Sequence, residues 1–192
     1  MKIIETSLAG LLVLEPKVFH DARGWFSESF NQHVFNNVVG NNPATNTPYE
    51  FVQDNHSFSH QGVLRGLHYQ RPPFAQGKVV RVVQGAVWDV AVDIRQASST
   101  FGQWYGVELS AKNNQQLWIP PGFAHGFITL SESAQFVYKT TAFYDQASEG
   151  AIIWNDTDIN IAWPRIESNV IVNEKDSTAN TFEYITFHNL TA

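Results

Sequence analysis

The chain has 192 residues, of which 43% are hydrophobic and 14% aromatic, which suits one domain, residues 1–192, with a single large core. The formal net charge of −6 argues against non-specific binding to nucleic acid or to an anionic membrane, because both need a dense basic surface. Cysteine is absent, which excludes disulfides, thiolate metal sites and cysteine nucleophiles. With neither an apolar signal core nor a membrane-length apolar run, we expect a cytoplasmic protein.

The first fifty residues predict two extended segments and one helix. Leu11 to Val18 is typical of a strand interrupted by Pro16, and Trp25 to Phe30 alternates in part. Asn31 to Val39 places its apolar residues on one helical face and is followed by Gly40, a common helix terminator. Residues 41–48 are rich in Asn, Pro and Thr, which indicates a loop.

Strand-like segments follow at short intervals from residue 51 onwards. They are Phe51 to Ser59, Val63 to Gln70, Lys78 to Gln84, Ala86 to Ile94, Trp104 to Ser110, Gln116 to Ile119, Gly126 to Leu130, Gln135 to Tyr144 and Ala151 to Trp154. Many short strands separated by Gly and Pro turns favour an all-β sandwich or closed barrel. The pattern weakens beyond Pro164, so we expect a barrel core of about residues 14–164, with 165–192 packed over it.

The stretch Gly62 to Gln70 combines strand formers with chemically active side chains. Arg65 and His68 are three residues apart, so in a regular strand they would point to opposite faces. Gly66 between them favours a β-bulge, and one extra residue would bring both side chains to the same face. Taken alone, His68 is more typical of a strand-end histidine beside a surface arginine than of a functional residue.

Trp118 to Phe127 contains Pro-x-Gly-x-x-His at a strand end, which resembles half of the cupin (double-stranded β-helix) pattern. In that pattern the histidine, here His125, commonly binds a metal. The partner motif His-x-His is replaced here by His68-Tyr69-Gln70. Since His68 and His125 alone fall short of the three ligands that a metal site needs, we predict no metal. A turn with a packed histidine is the structural alternative.

Charged and aromatic residues interrupt the predicted strands. Lys78 and Arg81 lie on opposite faces of one strand, so one of them should face the barrel interior, whereas Asp89 and Asp93 share a face in the next strand. Each charge alone could equally mark a solvated strand face. In a strand running to Tyr144, Tyr138 and Tyr144 would share a face ~20 Å apart, about the reach of a nucleotide-sugar; core or rim packing is the alternative.

Together these stretches closely resemble the dTDP-4-dehydrorhamnose 3,5-epimerase family, which inverts two carbons of a deoxysugar nucleotide. The resemblance extends from about Leu14 to Asp176. Its blocks include Glu15 to Phe19, Asp21 to Gly24, Phe51 to Ser57, Gly62 to Gln70, Asp89 to Arg95, Trp118 to Phe127, Tyr138 to Thr141 and Trp154 to Asp156. The resemblance implies a cupin-like jelly-roll barrel and a homodimer that works without metal or organic cofactor.

The resemblance also implies roles for individual residues. His68 is similar to the family's general base, Tyr138 to its general acid, and Asp176 to the carboxylate that orients the base, with Asp89 as the alternative partner. Tyr144 matches the aromatic residue that stacks on thymine. The positions that match substrate-binding residues are Arg23, Glu28, Gln53, Asp54, Asn55, Arg65, Lys78, His125, Glu149 and Lys175. Departures around 41–48, 71–74 and after 176 concern loops and dimer contacts.

These residue types suit the chemistry. A C4 ketone acidifies the hydrogens on C3 and C5, so inversion needs a base, an opposed acid and a stabiliser for the enolate oxygen. The hypothesis is therefore a 3,5-epimerase of dTDP-L-rhamnose biosynthesis. The alternatives are a mono-epimerase or ketoisomerase, a metal-dependent cupin, and a non-catalytic sugar-binding cupin.

Overall fold

The computed structural model describes residues 1–188, which form thirteen strands and three helices. The elements in chain order are β1 (Lys2–Glu5), β2 (Leu12–Glu15), β3 (Val18–Asp21), β4 (Gly24–Ser27), α1 (Gln32–Val39), β5 (Gln53–His60), β6 (Leu64–Gln70), β7 (Lys78–Gln84), β8 (Ala86–Asp93), β9 (Trp104–Ser110), β10 (Gln116–Ile119), β11 (Phe123–Thr129), β12 (Ser133–Thr140), β13 (Glu149–Ala151), α2 (Glu174–Ser177) and α3 (Phe182–His188). Within residues 1–188, no helix is long and apolar enough to span a bilayer.

Two antiparallel sheets make up the barrel. The six-stranded sheet has the order β1-β2-β10-β7-β12-β5, and the five-stranded sheet has the order β13-β6-β11-β8-β9. Their facing side chains form the main apolar core, in which Val80, Leu117 and Phe136 of the first sheet meet Ala91 and Phe127 of the second. Because alternate residues of each strand are buried against the opposing sheet, the hydrophobic effect holds the two layers together. This confirms the predicted all-β, cupin-like jelly roll.

The outer face of each sheet is also covered in part. Ile159, Phe182 and Ile185 pack against Val90 and Val92 on the outer face of the five-stranded sheet. Since these valines alternate with interior residues of β8, both faces of that strand are buried. Phe182 and Ile185 therefore cover part of the barrel surface, and the division into a barrel core of 14–164 and a covering segment of 165–192 stays a prediction.

The predicted helix is present as α1, and its termini follow the sequence signals. Asn31 is the N-cap, and its side-chain oxygen accepts hydrogen bonds from the backbone N–H groups of His33 and Val34. Gly40 ends the helix with a φ of +79°. Phe35 on the inner side of α1 is buried against Trp118 of the six-stranded sheet, with their ring centroids 5.0 Å apart.

Several predicted boundaries are wrong. β12 ends at Thr140, so the prediction of a strand running to Tyr144, and with it the ~20 Å separation along one strand, is incorrect. The ladder ends here because the Gly77 N–H donates to the Thr141 side-chain hydroxyl instead of to a backbone carbonyl, and the Thr140 hydroxyl donates to the Ala142 carbonyl. β11 begins earlier than predicted, at Phe123. β1, α2 and α3 are not predicted by the sequence at all.

The bulge expected at Gly66 is present and confirms that prediction. On β11, His125 pairs with His68 and Phe127 pairs with Arg65, so β6 has one more residue than its partner over this interval. Gly66 has a φ of +126°, a region that favours glycine, and a Cβ here would lie 2.5 Å from the Cα of Gly126. The two backbones thus touch, and Arg65 and His68 face the same cavity.

β3 and β4 form a separate two-stranded ribbon that pairs with neither of the large sheets. Its aromatic side chains are largely exposed: Phe19 by 51%, Trp25 by 59% and Phe26 by 69%. At the far end of the six-stranded sheet, β5 is an edge strand of eight residues. A ribbon with this much exposed apolar surface is typical of a protein–protein contact site.

Candidate active site

A cavity of about 280 Å³ opens between the two sheets at the bulged part of β6. Eight of the residues that the sequence singles out line it: Arg65, His68, Lys78, His125, Tyr138, Tyr144, Glu149 and Asp176. They come from β6, β7, β11, β12, β13, α2 and the loop after β12. The fold therefore gathers into one site residues that are up to 111 positions apart in the chain.

His68 lies on β6 and is bonded to a carboxylate from the C-terminal segment. Its Nε2 is 2.7 Å from Oδ1 of Asp176, whose Oδ2 accepts a hydrogen bond from the Gly66 backbone N–H at 3.0 Å. Burial acts to raise the pKa of Asp176, but the hydrogen bonds from His68 and Gly66 outweigh it, so the pKa lies below its usual value. Asp176 is thus a carboxylate that fixes the orientation of the His68 ring.

Asp176 is itself held by local helix chemistry. It lies in α2, whose N-cap Asn173 accepts a hydrogen bond from the Asp176 backbone N–H at 2.7 Å. Upstream, the backbone of Ile171 bonds to Gly62 and Leu64 beside β6. These contacts place the short helix over the cavity, so Asp176 rather than Asp89 is the partner of His68.

Asp89 bonds instead to the second histidine. His125 of β11 places Nε2 3.0 Å from Oδ2 and 3.1 Å from Oδ1 of Asp89, which lies on the adjacent strand β8. Both side chains are buried, and the His125 ring stacks on Phe136 at 6.0 Å. Because Asp89 and His125 lie on adjacent paired strands of one sheet, this pair is fixed more rigidly than the pair formed by His68.

Two cations face the same space. Lys78 of β7 is only 8% exposed, and burial lowers its pKa to about 8, although Asp89 and Glu149 partly oppose that shift. Arg65 donates from Nε to the Ser59 hydroxyl at 3.1 Å and from Nη2 to the Phe58 carbonyl at 3.3 Å. The cavity thus combines two positively charged donors with the two histidines, which suits an anionic group. As the sequence predicts, Arg81 is on the opposite face of β7 and lines a different cavity.

Tyr138 lies on β12 and so approaches from the sheet opposite that of His68. Burial is the main cause that raises its pKa, which Arg65 partly opposes and Glu149 reinforces. Its hydroxyl therefore stays protonated over the neutral pH range. A proton donor on one sheet and a histidine on the other is the arrangement that transfer to two faces of a sugar ring requires.

The rim of the cavity is a hydrogen-bonded cluster. The Tyr144 hydroxyl donates to Oε2 of Glu149 at 3.0 Å, and Nζ of Lys175 lies 2.6 Å from the same oxygen. The Tyr144 backbone N–H donates to Oε1 of Gln53 at 3.0 Å. The Tyr144 side chain remains 55% exposed, so one ring face can receive a planar group.

Of the predicted substrate-binding residues, Gln53 and Lys175 do not line the cavity but bond to its rim residues Tyr144 and Glu149, and four others lie outside it. Arg23 is exposed on the β3–β4 ribbon, where it pairs with Asp21, and Glu28 is exposed just after that ribbon. Asp54 bonds to Lys139 at 2.8 Å, and both Asp54 and Asn55 line a second cavity of about 270 Å³ beside β5. The single chain therefore does not bring these four residues to the site.

Sequence reasoning missed residues that hold the site together. Asn173 was not recognised, although the spacing Asn-x-x-Asp before a short helix is an N-cap signal. Gln70 was also missed: its Nε2 donates to the carbonyls of Phe74 and Phe143, and its Oε1 accepts from the Asp145 N–H. These bonds connect the loop that carries Tyr144 to the strand that carries His68. No local sequence motif predicts them.

Within residues 1–188, no group of three or more His, Asp or Glu side chains is arranged to hold a metal ion. His68 and His125 are register partners on adjacent strands, but each is bonded to its own aspartate. In each histidine, Nε2 is therefore already engaged in a hydrogen bond to an aspartate. The prediction of an enzyme without metal remains open to test by chelation.

Comparison with known proteins agrees with this geometry. Residues 5–184 match the family model described as dTDP-4-dehydrorhamnose 3,5-epimerase. The chain is 56% identical to the dTDP-4-dehydrorhamnose 3,5-epimerase of Shigella flexneri over 182 residues, covering 95% of this chain and 96% of that protein. A solved structure of a dTDP-6-deoxy-D-glucose-3,5-epimerase from Legionella pneumophila, in complex with dTDP-4-keto-L-rhamnose, superposes with a TM-score of 0.89 at 47% identity, covering 96% and 94% of the two chains.

A more distant relative performs a related reaction. A 3'-monoepimerase from Streptomyces bikiniensis, solved with dTDP-quinovose, has a TM-score of 0.85 at 32% identity and covers 94% of this chain and 88% of its own. Shared fold alone therefore does not separate one inversion from two. The chain is 56% and 47% identical to the two 3,5-epimerases over nearly their full length, against 32% for the mono-epimerase, and this difference favours the 3,5-epimerases. The chain belongs to the dTDP-4-dehydrorhamnose 3,5-epimerase family and is an isomerase of dTDP-L-rhamnose biosynthesis.

Proposed function

We propose that the enzyme converts dTDP-4-dehydro-6-deoxy-D-glucose into dTDP-4-dehydro-L-rhamnose with His68 as base and Tyr138 as acid. The observation that supports this most strongly is that the two side chains enter one cavity from opposite sheets. Inversion of a carbon requires removal of a proton from one face of the ring and its return from the other. Two groups on facing walls meet that requirement.

Each inversion follows the same steps. Asp176 holds Nε2 of His68, so Nδ1 takes the proton from C3 or C5 and the bonding electrons move into an enolate with its charge on O4. Lys78 and Arg65 stabilise that charge, where one preorganised donor can matter by ~10²–10³ in rate. Tyr138 then donates its proton to the opposite face of the carbon. His68 returns its proton to water and Tyr138 regains one, and the 32% exposure of His68 permits this exchange.

The outer part of the substrate would occupy the rim. The Tyr144 ring is the stacking surface for thymine, and Lys175 is the cation for the diphosphate. Stacking needs only an exposed aromatic face, which Tyr144 has. The negatively charged protein thus binds an anionic substrate through a small local group of cations.

Proton NMR in D₂O tests the reaction directly. After incubation of dTDP-4-dehydro-6-deoxyglucose with the protein, we expect deuterium at both C3 and C5 of the product. Label at one carbon only would instead identify a mono-epimerase, the reaction of the Streptomyces relative. Label at neither carbon would contradict an epimerase function.

We further infer that the functional unit is a homodimer in which the β3–β4 ribbon of one subunit reaches the cavity of the other. The exposed aromatic side chains of the ribbon support this, as does the distance of Arg23 and Glu28 from the cavity of their own chain. Arg23 would then contact the diphosphate in the partner's site.

Subunit mixing tests the dimer. Arg23→Ala and His68→Ala variants should each be inactive, whereas heterodimers of the two should regain activity, since one of their two sites then contains both wild-type residues. Mixed pools that stay inactive after confirmed subunit exchange would show that Arg23 acts in its own chain or not at all. A monomeric wild-type protein in sedimentation would also contradict the proposal.

A further inference from the structure

One oxygen of Glu149 joins two separate segments at the cavity rim. Oε2 accepts the Tyr144 hydroxyl at 3.0 Å and lies 2.6 Å from Nζ of Lys175. Burial acts to raise the pKa of Glu149, but Lys175 and the Tyr144 hydroxyl outweigh it and lower the pKa. The Glu149 side chain, 19% exposed, is therefore a carboxylate engaged by protein groups on both sides.

On one side, the bridge ends at the helix that orients the base. Lys175 and Asp176 are neighbours in α2, a helix of only four residues. A helix this short has no stability of its own, so its side-chain anchors fix its position. Those anchors are the Asp176 contacts with Gly66 and His68, the Asn173 cap, and the Lys175–Glu149 ion pair. Loss of the ion pair would loosen the helix that carries Asp176.

On the other side, the bridge ends at the aromatic ring of the rim. Tyr144 lies in the loop between β12 and β13, and the residue is 55% exposed. A planar group stacked on that ring would restrict the ring and with it the direction of its hydroxyl. The hydroxyl donates to the same Glu149 oxygen that Lys175 contacts. A change in the direction of the hydroxyl would therefore be passed through Glu149 to Lys175, which lies in α2.

We propose that Glu149 is a positioning residue that couples nucleobase stacking on Tyr144 to the alignment of Asp176 and His68. The inference rests on the roles proposed above for Tyr144 and His68. Binding energy from a remote, unreactive part of the substrate would thereby increase turnover rather than affinity alone. The contacts of Glu149 at the rim are those with Tyr144 and Lys175, so we propose that it acts through them.

A double-mutant cycle of Tyr144→Phe and Glu149→Gln tests the coupling. Tyr144→Phe keeps the stacking ring and removes only the hydroxyl, so the dissociation constant of dTDP should change less than twofold. Since typical coupling between sites amounts to ~5–150-fold, we expect kcat to fall about tenfold in each single variant. The double variant should be no slower than the slower single variant, because both changes break the same bridge.

Glu132→Gln is the matched control: Glu132 is exposed in the turn before β12 and does not line the cavity, so kcat should be unchanged. Two results would overturn the coupling: single effects that multiply in the double variant, or a Glu149→Gln variant whose KM rises at constant kcat, as a direct substrate contact predicts. The wild-type enzyme is assayed first for deuterium at C3 and C5. If the wild type places no deuterium at these carbons, the proposed function itself is rejected. If the wild type is active but the effects of the two single variants multiply in the double variant, only the coupling is rejected.

Discussion

Two histidine–carboxylate pairs lie side by side in the cavity, and they differ in how they are built. His68 and His125 are register partners on adjacent strands. The side chain of His68 is 32% exposed and its aspartate comes from a four-residue helix, whereas His125 is 9% exposed and its aspartate lies on the neighbouring strand. Access to water suits a base that must release its proton in every cycle. A rigid, buried pair suits a fixed hydrogen bond to a part of the substrate that exchanges no proton.

Removal of the exposed histidine should have the largest effect. His68→Ala should lower turnover by at least ~10³-fold and abolish exchange of the C3 and C5 hydrogens with D₂O, because nothing else in the cavity starts the reaction. His125→Ala should slow the reaction but leave measurable exchange. Proton NMR of both variants distinguishes the pairs, and exchange at the wild-type rate in His68→Ala would refute its role as base.

Tyr138→Phe should show that the histidine on one sheet can work without the acid on the other. The variant should still form the enolate and return a deuteron to the original face, so exchange with retained configuration should outpace inversion. Loss of a general acid typically costs ~10²–10⁴-fold in inversion rate. NMR of recovered substrate in D₂O measures both rates. Normal inversion at both centres would disprove the two-residue mechanism.

Lys78 lines the same cavity from the opposite sheet and gives the site an alkaline limit. The pKa of its ammonium in the free enzyme is about 8, so kcat/KM should fall as pH rises through that value and the charge on O4 loses its partner. Lys78→Met should lose ~10²–10³-fold in kcat and this limb of the profile. Initial rates between pH 6 and 10 provide the check, and an unchanged limb in Lys78→Met would assign it to another group.

The same group links pH to folding stability with the opposite sign. The pKa of Lys78 is lowered to about 8 in the folded state, whereas an unperturbed lysine titrates near 10.4. Between these values the unfolded chain binds more protons, so this residue's contribution makes the free energy of unfolding rise with pH from about 8 to 10. Urea denaturation of wild type and Lys78→Met across this range should show the contribution only in the wild type.

Asp176→Asn should affect the exposed pair alone. The amide cannot stabilise a protonated His68, so kcat should fall by ~10² or more, with little change in the binding of dTDP. In the wild type, the lowered pKa of Asp176 contributes stability that is present above the unfolded value of about 3.9 and lost as pH falls through the folded value. In acid denaturation, the variant should lack this pH-dependent contribution to the free energy of unfolding. Equal loss of dTDP affinity and kcat would indicate general disruption of the cavity instead.

The smallest expected effect lies farthest from both pairs. Tyr144→Ala should weaken dTDP binding by ~1–3 kcal/mol, the usual value of a base stacked on an aromatic side chain. Calorimetric titration with dTDP measures it. Unchanged affinity would remove Tyr144 from the nucleotide site.

Local patterns predicted the elements of the barrel well, because strand periodicity, the glycine in β6 and the helix-ending Gly40 act over a few residues. They could not choose between Asp176 and Asp89 as the partner of His68. That choice depends on a contact across 108 positions, made by a helix whose surroundings carry no periodic signal. The strand predicted to reach Tyr144 ends early for a similar reason, since the Gly77 backbone N–H bonds to the side chain of Thr141, 64 positions away. The single domain and the cytoplasmic location remain predictions.

The contact between Gly66 and Gly126 restricts how this enzyme can change by mutation. A Cβ on Gly66 would lie 2.5 Å from Cα of Gly126, and a Cβ on Gly126 would lie 2.7 Å from the Arg65 carbonyl oxygen. A larger residue at either position cannot be rescued at the other, which already has the smallest side chain available. In a saturation library, both positions should tolerate glycine alone. Stepwise substitution can therefore alter the side chains around the two histidines, but it cannot change the spacing between the strands that carry them.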